Sequence, residues 1–69
     1  MYYALASVAA LTGEAEDALE YLAQAIKLRP ENRYHARNDA DFKLLEDDPR
    51  FQELLYPERA GFRLGVARL

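Results

Sequence analysis

The run from Glu14 to Pro30 constrains the fold most. Ala18, Leu19, Leu22, Ala25 and Ile26 recur at steps of three and four residues, so all five fall on one face of a helix. Glu14, Glu16 and Asp17 lie at the start of this run and Lys27 and Arg29 at its end, each sign where it complements the helix dipole; Pro30 closes the run. An apolar stripe of this kind has to be covered, and the segment in front of it is the nearest cover. Met1 to Leu11 holds Ala, Leu, Tyr, Val and Ser with no Gly or Pro, which favours helix, and Thr12 with Gly13 supplies the stop.

Beyond Pro30 the pattern shortens. Glu31 to Arg37 has room for two helical turns, and Asn38 to Asp41 is rich in residues that favour turns and caps, so a break is expected there. Phe42, Leu44 and Leu45 form a brief apolar cluster that Asp47 and Asp48 terminate. Asp48 followed by Pro49 reads as an N-cap and first helical residue, and Phe51, Leu54 and Leu55 give the helix that follows a narrow apolar face. In the tail, Phe62, Val66 and Leu69 lie at helical spacing while Phe62, Leu64 and Val66 alternate as in a strand; periodicity does not decide, and the expectation leans toward helix. The predicted organisation is a helical hairpin over residues 1–30, short capping helices over 31–56 and a tail over 57–69.

Sixty-nine residues allow one small domain with a modest core, and the lack of cysteine removes disulfides as a means of reinforcing it. Packing is left, together with a partner. The net charge of -3 is unevenly spread: residues 1–48 hold ten acids and five bases, residues 49–69 two acids and four bases. An acidic body argues against binding to a phosphate backbone, so no nucleic-acid partner is expected. A regulatory or nucleic-acid-associated role for the basic tail, with Arg59, Arg63 and Arg68 interleaved with Phe62, Leu64 and Leu69, is the alternative. No apolar run approaches bilayer length and no leader pattern opens the chain, so no membrane partner is expected and the cytoplasm is the default location.

Catalytic chemistry finds little material. His35 is the only histidine and has no cysteine to join it in a zinc site or nucleophilic pair. Asp39, Asp41, Glu46, Asp47 and Asp48 form the densest carboxylate group, but the glycine and terminal glutamate of a calcium loop are missing, and helix caps account for these acids. Glycoside hydrolysis by paired acids needs a water-excluding cleft that a chain of this size does not build. Gly13, Gly61 and Gly65 are too dispersed to cradle a phosphate. The expectation is a non-enzyme without cofactor or metal.

Tyr2, Leu5, Ala6 and Ala9, then Gly13 at the turn, then Ala18, Leu22 and Pro30 follow the spacing of a tetratricopeptide (TPR) repeat, and the hairpin resembles that family. Tyr2 stands where tryptophan is common, Ala6 where glycine is common and Ala9 where tyrosine is common. Small residues such as Ala6, Ala18 and Ala25 allow helices to approach, while Tyr2, Leu5 and Leu22 fill the gaps. The following stretch, from Ala36 to Phe42 with Leu45, Asp48-Pro49-Arg50-Phe51 and Leu54-Leu55, looks like the degenerate element that ends bacterial TPR arrays. The resemblance implies an all-α fold in which Phe42, Leu45, Phe51, Leu54 and Leu55 cap the last repeat. It also implies a role in protein contacts. The peptide-carboxylate clamp of many such domains is not carried over, because Met1 to Gly13 lack the Lys, Arg and Asn it requires.

One repeat cannot bury its apolar face alone; about three are needed for independent stability. The chain therefore reads either as the C-terminal end of a longer array or as a small protein that pairs with its own copy. Self-association in isolation is the favoured expectation, with Tyr3 and Val8 as interface residues beside Tyr2 and Leu5. The identity of the protein partner is not legible from the sequence.

Overall fold

A computed structural model describes residues 1–57, which are all-α. Helix α1 spans Tyr2–Leu11, α2 Ala15–Leu28, α3 Asn32–Arg37 and α4 Pro49–Leu55, with a 3-10 helix, Ala40–Leu45, between α3 and α4. The tail expected to lean toward helix lies, from residue 58 onward, outside the described residues.

The first turn is built by Gly13. At the end of α1 the Gly13 amide donates to the Ala10 carbonyl at 3.2 Å and the Glu14 amide to the Ala9 carbonyl at 2.9 Å, a paired closure that requires a left-handed residue; Gly13 takes φ of 81°. The chain reverses within Thr12 to Glu14, bringing α2 back along α1 so that the Tyr2 and Tyr21 rings lie 6.4 Å apart. All five stripe residues of α2, Ala18, Leu19, Leu22, Ala25 and Ile26, are buried. Opposite them Ala6, Ala9 and Ala10 are buried on α1. Ala6, Ala10 and Ala18 are 0% exposed, so the two helices meet over methyl groups with no room for a larger side chain.

Arg29, expected in the last turn of α2, instead lies outside the helix in an extended conformation, the one favoured immediately before proline. Asn32 reaches back from α3, and its side-chain amide donates to the Ala25 carbonyl at 2.9 Å, satisfying an acceptor that the end of α2 leaves open. The cap then covers one side of the hairpin, with the 3-10 helix on α1 and with α3 and α4 on α2. In the expected cluster Phe42 and Leu45 are buried but Leu44 is 72% exposed. Residues three apart eclipse in a 3-10 helix, so Phe42 and Leu45 share the inner face and Leu44 does not. Asp48 caps α4 as expected, its carboxylate accepting the Arg50 amide at 2.9 Å, with Pro49 in the first turn. Phe51 and Leu55 are buried and Leu54 is half-buried.

Candidate interaction surface

The hairpin has two sides, and its side chains divide between them by helical spacing. Tyr3, Ala6, Ser7 and Ala10 sit three or four residues apart on the side that faces the 3-10 helix. The Tyr3 hydroxyl donates to Asp39 Oδ2 at 2.8 Å and the Ser7 hydroxyl to Asp41 Oδ2 at 2.5 Å. Asp39 also accepts the Asp41 amide at 3.0 Å, capping the 3-10 helix with its other oxygen. Two hydroxyls one turn apart on α1 thus match two carboxylates two residues apart on the 3-10 helix. The Tyr3 ring meets Phe42 edge-on at 5.7 Å, and Phe42 stacks on Phe51 at 6.0 Å, so one aromatic series runs from α1 through the 3-10 helix to α4.

Tyr3 is expected at an intermolecular interface, and in the structure its hydroxyl and ring contacts lie within the chain. It is half-buried inside the chain because it shares the inward side with Ala6 and Ala10 rather than the outward side with Leu5 and Val8. Burial is the main reason its phenol is held well above the ordinary value of 10.0, with the Asp39 hydrogen bond and the Asp39 and Asp41 charges acting in the same direction. A raised native value favours the neutral phenol in the folded chain. The resulting stability is complete below pH 10 and is lost as pH rises through the native value, because the unfolded phenol ionises first. Tyrosinate absorbance followed against pH should therefore contain a late step from Tyr3 in the folded chain, and Tyr3→Phe should remove that step.

The cap contains a second polar connection that the sequence did not reveal. From α3, Arg33 Nε donates to the Leu54 carbonyl at 3.1 Å and Arg37 Nε to the Leu55 carbonyl at 2.8 Å; Arg37 Nη2 also bonds the Leu55 carbonyl. The Arg37 guanidinium lies 4.9 Å from the Tyr34 ring centre and 4.4 Å from that of Tyr56. Cations placed at a helix C-terminus satisfy its last carbonyls and oppose its dipole. The four-residue spacing of Arg33 and Arg37 was the available signal.

The outward side of the hairpin is different in kind. Tyr2 is 38% and Leu5 40% exposed, and Val8, Leu11 and Leu28 are more than half exposed. Helix α1 contains no acidic or basic residue. Tyr2 and Leu5, expected as repeat packing, stand at its inner edge, and Val8, expected as interface, on its outer ridge. Next to Tyr2, a shallow cleft of about 170 Å³ is lined by Met1, Tyr3, Ala25, Leu28, Arg29 and Asn32, so one cation borders this side. Pro30, named for repeat packing, is exposed beyond α2, and Gly13 serves the turn.

Among the described residues no polar or charged side chain is fully buried and every buried side-chain polar atom has a partner. No group of three or more His, Cys, Asp or Glu among them is placed to hold a metal ion. His35 is exposed on α3. No helix among the described residues is long and apolar enough to cross a membrane. No family model, curated protein or solved structure matches the chain.

Proposed function

We propose that the chain is a non-catalytic protein–protein interaction module of the tetratricopeptide type, a single repeat hairpin followed by an end cap, working in the cytoplasm of a bacterial cell. The observation that carries this reading is the contrast between the two sides of the hairpin. One side is covered by its own cap through paired hydrogen bonds and an aromatic series. The other presents Leu5, Val8, Leu11 and Leu28 on a helix without charge. A helix apolar all round belongs between two packed layers, and only one of those layers is supplied by the described residues. The partner that fits is another helical surface, stacked on α1 and the adjoining flank of α2 as one repeat stacks on the next.

Joining an idealised, stable repeat hairpin in front of Tyr2 tests this reading. Stacked repeats share nearest-neighbour interface energy, so the fusion should melt in one transition well above that of the chain alone, and Val8→Glu should remove most of the gain. Two independent transitions, with the chain melting where it does unfused, would refute a repeat-type docking side.

A further inference from the structure

The partner most compatible with this side is a second copy of the same chain. We infer that two chains pair through their α1 helices, antiparallel about a two-fold axis, with Leu5 of one meeting Val8 of the other; this rests on the docking side proposed above. Two observations and one physical argument carry it. Leu5, Val8 and Thr12 continue the four-then-three spacing that begins at Met1, which is the seam of a two-helix contact, and all four are exposed. A two-fold contact brings each surface against itself, so like charges on it meet like charges. The chain carries a net charge of -3, and Glu16, Asp17 and Glu20 of α2 gather beside Arg50 and Leu54 of α4, whereas α1 has no charge to repel its copy. Finally, an antiparallel arrangement sets the two helix dipoles against each other favourably.

The seam is short. Ten residues make a helix roughly 15 Å long, less than a standard interface of about 800 Å² per partner requires by itself, so the pairing is expected to be weak and concentration-dependent.

Sedimentation velocity of the full 69-residue chain over a hundredfold concentration range, with circular dichroism on the same samples, tests the pairing. A monomer–dimer equilibrium is expected. Val8→Glu should weaken it at least about 100-fold by burying an unpaired charge, and Leu44→Glu, exposed on the cap, should leave it unchanged. A second measurement does not depend on that variant folding. Because the chain has no cysteine, an equimolar mixture of Leu5→Cys and Val8→Cys chains should oxidise preferentially to the mixed disulfide. A chain that stays monomeric throughout, a dimer indifferent to Val8→Glu, or a mixture without preference for the Leu5–Val8 pairing would each overturn the proposal. A monomer whose fusion to a repeat hairpin is still stabilised would sink self-pairing alone; a monomer that gains nothing from the fusion would sink both readings.

Discussion

Phe42→Ala is expected to remove a third or more of the chain's stability. Phe42 is 1% exposed, and its ring is the middle member of the series that runs from Tyr3 to Phe51, so its removal empties the junction of α1, the 3-10 helix and α4 together. Truncating a buried phenylalanine costs about 3–5 kcal/mol, against a total stability of roughly 3–10 kcal/mol for a chain of this length. In a thermal melt followed by circular dichroism the midpoint should fall by about 12–40 °C, or the transition should disappear. Leu44→Ala, two residues away on the exposed side of the same 3-10 helix, should change stability by no more than about 0.5 kcal/mol. Similar losses from both substitutions would mean that the cap does not pack through Phe42.

The second large effect is expected where nothing is removed. Ala6 on α1 is 0% exposed, and Ala10 on the same helix and Ala18 on α2 are equally enclosed. Ala6→Leu must either push the two helices apart or force side chains from their rotamers, at a cost of about 1–3 kcal/mol despite the gain in apolar area. Urea denaturation should show a lower midpoint with little change in slope. Ala4→Leu, the same change at an exposed position of α1, should be close to neutral. A stabilised Ala6→Leu chain would show that the hairpin contains space its geometry denies.

Much of this architecture was legible before the structure, because the signals were local. The stripe on α2 needs only one helix to be recognised, Gly13 only one turn, and Asp48 with Pro49 only one cap. Packing between distant segments was harder to read. Tyr3 and Asp39 are 36 residues apart, and nothing near either in sequence announces that a phenol and a carboxylate will meet. Periodicity places Tyr3 on α1 but leaves open which side of the helix is covered, so both an inward and an outward place for it fit the sequence. Arg33 and Arg37 were passed over for a related reason: their acceptors are main-chain carbonyls of α4, which no sequence pattern displays. The 3-10 geometry that buries Phe42 and Leu45 while exposing Leu44 likewise follows from how the cap lies on α1, since composition alone allows Phe42, Leu44 and Leu45 equally.

The paired bonds from Tyr3 and Ser7 to Asp39 and Asp41 give the hairpin a front and a back with different standards of admission. A neighbour on the latched side has to bring two acceptors at the right separation, and one that slips by a residue forfeits two hydrogen bonds to charged acceptors, each worth about 1.5–3 kcal/mol. On the docking side proposed above the described residues supply no such lock, and shape and apolar area alone decide the fit. Docking of that kind makes the molecule selective in one direction and permissive in the other, so that new partners can be acquired on the permissive side without disturbing the identity of the fold.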